Sequence, residues 1–353
     1  MMKKAVFYAL ASVLFLAARL FAQDGQQQIA DLGRCPLESG AVIENCIIGY
    51  RTFGSLNAAR NNAVLMPTWL NGRSEDLRSL FGSLPSGYRL VDTSKFFGIA
   101  VDSLGDGVSS SPSNSKVQHG TAFPVFTTRD MVEAEYRLAT EVLHLEHLHA
   151  VLGLSMGGLQ TFMWAVRHPD FFDLAVPILG SPRATPYDLE TKQIIIEAIQ
   201  SDPDYNNGNY TTQPALKLAN LYGAQAVTTP DQMNADTTRA GFELFVRKTE
   251  SLQRQDANDR VWQLHAIMRH DAIRDKTIAE VAKASPVHFL IIVNANDHMV
   301  IPQPALEWAD AAKSQSYISH GSCGHLIMNC DAAVIAPMVQ DFLAGRRPHE
   351  MVR

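Results

Sequence analysis

Ser155 stands in Gly153-Leu154-Ser155-Met156-Gly157, a G-x-S-x-G pattern set between an apolar run and a helical one. Small residues at both glycine positions permit a strand-to-helix turn too tight for larger side chains, and such a turn exposes the serine hydroxyl. A hydroxyl becomes a good nucleophile only when a base takes its proton, and that base needs a carboxylate to fix its tautomer. Asp297, in Asn294-Ala295-Asn296-Asp297-His298 just past another apolar run, supplies the carboxylate. His325, in the Gly-rich stretch Gly321-Ser322-Cys323-Gly324-His325, supplies the base. His320 competes for that role because it lies at the end of the preceding strand, whereas His298 is assigned to a polar pocket or the core. Acyl chemistry also needs donors aimed at a developing oxyanion. The backbone N–H of Met156 is one, and that of Leu70, in Pro67-Thr68-Trp69-Leu70-Asn71-Gly72, is the other.

These residues need a scaffold that brings distant strand ends together. Apolar runs at Cys46 to Phe53, Ala63 to Pro67, Phe97 to Asp102, Ala150 to Leu154, Leu174 to Leu179, Val287 to Ala295 and Ser316 to Ser319 read as strands. They alternate with helical patterns at Arg129 to Leu145, with Thr128 as N-cap, and at Met156 to Arg167, Gln303 to Lys313 and Ala332 to Leu343. Such alternation predicts an α/β architecture, a mostly parallel sheet covered on both faces. Residues 183–281 carry helical patterns without a convincing strand and read as a helical lid insertion between core segments 23–182 and 282–353. The segment Gln23 to Leu32 reads as polar.

The 353 residues are 46% hydrophobic and 19% charged, which excludes a disordered chain. A net charge of −6 without long single-sign blocks argues against a nucleic-acid partner. Lys3 and Lys4 precede an apolar run from Ala5 to Ala18, the pattern of a secretory signal peptide over residues 1–22. That run is shorter than a membrane-spanning helix requires, so the mature chain is expected to be secreted or periplasmic, with no stable membrane insertion. Export makes disulfides possible for Cys35, Cys46, Cys323 and Cys330. Of the three connectivities that four cysteines allow, the two local pairs are favoured. His144, His147 and His149 lack a His-Glu-x-x-His spacing and read as a solvated helix end, and Gly105-Asp106-Gly107 lacks the rest of a dinucleotide fingerprint. Neither a metal nor a cofactor is expected.

With these motifs in place, the chain resembles the homoserine O-acetyltransferase group within the α/β-hydrolase fold. The likeness runs from Tyr50-Arg51-Thr52-Phe53-Gly54 through Thr128-Arg129-Asp130-Met131, Ser155-Met156-Gly157-Gly158-Leu159-Gln160 and Trp164-Ala165 to Asp297 and Gly324-His325. It implies Ser155, Asp297 and His325 as a triad, Leu70 and Met156 at the oxyanion hole, and a homodimer through the lid. Enzymes of that group that acylate homoserine typically hold its carboxylate with a lid arginine and its ammonium with an acidic residue after the histidine. The corresponding positions here are read as Ile196 and Leu326, both placed in the substrate pocket. The expectation is therefore an exported serine hydrolase acting on a small acyl ester through an acyl-enzyme. An O-acyltransferase using acetyl-CoA is the first alternative, and a binding protein that kept the fold is the second.

Overall fold

The computed structural model describes residues 25–83, 88–252 and 255–346, so the expected signal segment 1–22 lies outside the described residues. Strands β1 (Gln28–Pro36), β2 (Val42–Phe53), β3 (Ala63–Pro67), β6 (Phe97–Val101), β7 (Leu148–Leu154), β8 (Phe172–Ile178), β9 (His288–Asn294) and β10 (Gln315–Ser319) form one sheet. Two short strands, β4 (Phe81–Gly82) and β5 (Val91–Asp92), pair separately. The main sheet has the order β1-β2-β6-β3-β7-β8-β9-β10. β1, β2 and β6 are antiparallel neighbours, and every pairing from β6 to β10 is parallel.

The central strands are apolar because both faces are covered. In β3, Leu65 joins the core on one face, and Val64 and Met66 join the core on the other. The covering helices include α1 (Thr128–Arg137) and α2 (Met156–Arg167), with α9 (Gln303–Ala312) and α10 (Ile327–Leu343) after the later strands. Between β8 and β9 run α3 (Pro186–Gln200), α4 (Lys217–Ala226), α5 (Pro230–Asp236), α6 (Phe242–Glu250), α7 (Ala257–Met268) and α8 (Ile278–Ala284). Among the described residues of this stretch the only β pairing is an isolated bridge, Arg183 to Asp271.

Several sequence expectations need correction. The segment read as polar through Leu32 contains most of β1, whose Ala30 and Leu32 are buried while Ile29 and Asp31 face outward. An edge strand with one buried face carries too few apolar residues to stand out as a run. The N-cap of α1 is Thr127, whose side chain forms a capping box with Asp130, while the Thr128 hydroxyl pairs with His270 Nδ1 at 2.9 Å. The helix continues beyond Arg137 as a π-turn over Leu138–Val142. α10 begins at Ile327 rather than Ala332. His149 lies within β7 and its Nε2 meets the Leu343 carbonyl at 2.7 Å, so it belongs to the sheet rather than to a helix end.

Candidate active site

The parallel pairing of β7, β9 and β10 aligns their carboxyl ends, and the loops that leave those ends carry Ser155, Asp297 and His325. Ser155 caps α2 with φ +54° and ψ −119°, a conformation that non-glycine residues seldom adopt. Its neighbours permit the turn. A Cβ on Gly153 would lie 2.2 Å from the Gly157 carbonyl oxygen, and one on Gly157 would lie 2.6 Å from the Pro67 carbonyl oxygen. The Ser155 N–H donates to Ile178 of β8 at 2.9 Å, which holds the strained residue in place.

His325 sits in a one-turn helix, Gly324–Leu326, ahead of α10. Its Nε2 is 2.7 Å from Ser155 Oγ and its Nδ1 is 2.8 Å from Asp297 Oδ2. Asp297 is buried, and its Oδ1 accepts the N–H groups of Met299 at 2.8 Å and Val300 at 3.1 Å. A carboxylate at Nδ1 keeps the ring proton there, so Nε2 is left to accept from the serine hydroxyl. The disulfide Cys323–Cys330 brackets His325, and Cys35–Cys46 ties β1 to β2. The Thr229 hydroxyl at the start of α5 donates to the Ser322 carbonyl, and Ser322 Oγ donates to Gln232 Oε1 at 2.7 Å. The histidine loop is thereby fastened to α5. His320 and His298 are both exposed, so His298 is neither a pocket nor a core residue.

A cavity of about 610 Å³ opens over Ser155, and Leu70, Met156 and Leu326 are among the residues that line it. Met156 is the first residue of α2, next to Ser155. In the loop that carries Leu70, the Thr68 N–H is engaged by the Val101 carbonyl, the Asn71 N–H by Gln263 Oε1 and the Gly72 N–H by the Trp69 carbonyl. Gln160 ties this loop to α2, since its buried Nε2 donates to the carbonyls of Thr68 and Met156, each at 3.3 Å. Ile196 does not reach the cavity. It is buried in the core, and α3 presents Lys192 and Ile195 to the cavity instead, one turn and one residue earlier.

Two cations in the cavity wall escaped sequence reasoning. Lys192 is buried, its Nζ donates to the Met299 carbonyl, and burial lowers its pKa while Asp188 and Asp297 oppose the shift. Arg260 of α7 is also buried, and burial pulls its guanidinium down to about 10. Among the described residues, no Asp or Glu lines the cavity. In a sequence a charged residue within a helical pattern reads as a solvated face; the signal that could have revealed Lys192 was its place beside the apolar Ile194-Ile195-Ile196, while Arg260, directly after Asn258-Asp259, carries no such signal.

A family profile described as the alpha/beta hydrolase fold matches residues 79–328. A probable esterase of Corynebacterium glutamicum is 34% identical over 226 residues, covering 62% of this chain and 64% of its own. An ethyl acetate hydrolase of Pseudomonas veronii is 37% identical over 193 residues, 54% of each chain. The matches span less than two thirds of the length of these two relatives. A homoserine O-acetyltransferase of Moorella thermoacetica is 29% identical over 353 aligned positions, 88% of this chain and 94% of that one. In fold, the crystal structure of an acetylester hydrolase from Corynebacterium glutamicum is similar, with TM-score 0.82 at 24% identity, covering 91% of this chain and 95% of that one.

Proposed function

The chain belongs to the α/β-hydrolase-fold family as a homoserine O-acetyltransferase-like hydrolase or acyltransferase, and from that premise we propose that it hydrolyses a small acyl ester through an acyl-enzyme on Ser155. The observation that carries this reading is the hydrogen-bonded chain from Ser155 Oγ through His325 to Asp297. In the first half-reaction Oγ attacks the ester carbonyl while His325 Nε2 takes its proton, and the oxyanion is met by the N–H groups of Met156 and Leu70. His325 then returns the proton to the departing alkoxide as the ester C–O bond breaks. In the second half-reaction water, deprotonated by the same nitrogen, releases the acid and regenerates the hydroxyl. Asp297 stabilises the imidazolium in both.

Water is the acceptor in this reading because the wall beside His325 offers Leu326 and, among the described residues, no carboxylate, and because a relative at 37% identity is named for ester hydrolysis. Transfer from acetyl-CoA to an alcohol is the second reading, favoured by the long alignment with a homoserine O-acetyltransferase. Residues 1–22 act as an export signal in this proposal, a role that the two disulfides support. Helices α3 to α7 serve as the lid, and the exposed apolar residues Leu218, Phe242 and Leu244 on them suit a second copy of the chain. A fluorophosphonate probe tests the central claim. It should label Ser155 and abolish turnover of p-nitrophenyl acetate; an unlabelled protein that still cleaves the ester would overturn the serine mechanism.

A further inference from the structure

Arg260 is 8% exposed and lines the cavity that holds Ser155 and His325. Its partners are all neutral. Nη1 donates to Asn220 Oδ1 at 2.8 Å and Nη2 to the Ala219 carbonyl at 3.3 Å, while Nε is buried without a partner. The carboxylates nearest in sequence on its own helix are committed elsewhere. Asp256 accepts from the Tyr210 hydroxyl at 2.6 Å, and Asp259 accepts from the Ser113 hydroxyl at 2.6 Å. Lys192, the other cation in the wall, has Asp188 and Asp297 near it, so Arg260 is the uncompensated charge.

An unpaired buried guanidinium costs several kcal/mol, and the side chain is too rich in donors for two neutral acceptors to satisfy. A carboxylate is the group that matches its planar fork. Resting on the hydrolase reading above, we propose that Arg260 anchors a carboxylate carried by the substrate, so that the preferred substrate is an ester bearing one negative charge, such as the half-ester of a dicarboxylic acid. The missing carboxylates in the wall sharpen the class. A monoanion is neutralised by Arg260, whereas a zwitterion would bring an ammonium with no counter-charge to meet it.

The test compares monoethyl succinate with diethyl succinate in wild type and in Arg260→Gln and Arg260→Lys. A charge-assisted hydrogen bond predicts kcat/KM about 10- to 100-fold higher for the monoester in wild type. That preference should vanish in Arg260→Gln, chiefly through the KM of the monoester, and return in part in Arg260→Lys, the loss falling more heavily on the monoester than on diethyl succinate. Equal kcat/KM for the two esters in wild type, or an equal loss on both in Arg260→Gln, would overturn the proposal and leave Arg260 as a brace for α4. Should the variants fail to fold, inhibition of wild-type p-nitrophenyl acetate turnover by propionate but not propionamide supports it, and equal or absent inhibition refutes it. Labelling of Ser155 by a fluorophosphonate separates these outcomes from failure of the hydrolase reading itself.

Discussion

Asp297 gives each carboxylate oxygen a separate task, Oδ2 to His325 and Oδ1 to the N–H groups of Met299 and Val300. An amide at this position keeps one acceptor and adds an NH2 that must face either the imidazole or those two backbone donors. Asp297→Asn therefore disturbs the tautomer without removing the nucleophile or its base. Ser155→Ala and His325→Ala should each lower kcat by at least ~10³-fold, and Asp297→Asn somewhat less, as groups acting in one unit do. Wild-type turnover in purified Ser155→Ala, measured with p-nitrophenyl acetate, would end the triad proposal. Ser155, Asp297 and His325 could be singled out in the sequence because each follows an apolar run in a fixed order, although His320 competed with His325 for the last place. Lys192 and Arg260 could not, since their places depend on which helical face meets the cavity, nor could Gln160, whose bonds to the Thr68 and Met156 carbonyls depend on how α2 packs on that loop. Ile196 shows the size of that error: one residue along α3 separates a cavity wall at Ile195 from the core.

The elements differ in how openly they announce themselves. β3 and α2 keep their expected limits because an all-buried strand and a glycine-framed helix start leave strong signals. β1 hid because half of its side chains face water, and the start of α1 moved because Thr127, not Thr128, reaches back to the third amide. Two predictions belong at this scale. The first concerns the Cys323–Cys330 bridge around His325, which limits the unfolded chain and steadies the turn before α10. Cys323→Ser/Cys330→Ser should lose ~2 to 3 kcal/mol in denaturant titration and lose activity at a lower temperature than wild type. An unchanged unfolding midpoint would contradict it. The second concerns Glu135 of α1, which is fully buried, accepts from Trp164 Nε1 of α2 at 2.7 Å, and is pushed by burial up to about 8. The folded chain then holds a proton that the unfolded chain releases once pH passes the ordinary 4.5, so this group costs stability as pH rises toward 8. Glu135→Gln should gain stability over wild type progressively from pH 5 to pH 8, a gap on the order of 4 kcal/mol at the upper end. A difference that stays flat with pH would mean that Glu135 is already ionised in the fold.

At the scale of the whole molecule, the alternation of strands and helices was enough to place Ser155, Asp297 and His325 at one sheet edge. The shape of the cavity was not legible, because its wall is assembled from α3, α4 and α7 together with the loops after β3 and β9. That assembly changes the reasoning about the acceptor. On sequence, both charged handles for an amino acid are missing, at Ile196 and Leu326. In the structure the cationic half is present by another route, through Lys192 and Arg260, while no described carboxylate stands in the wall for an ammonium. Homoserine entering this cavity could pair its carboxylate but would leave its ammonium in an apolar surround, a cost of several kcal/mol. Leu326, 41% exposed beside His325, offers that ammonium nothing. Added homoserine should therefore leave the rate of p-nitrophenyl acetate cleavage unchanged, and incubation with acetyl-CoA and homoserine should give no O-acetylhomoserine by chromatography. Saturable formation of that product would show that the acceptor is an amino acid, and that a group outside the described wall supplies the missing negative charge.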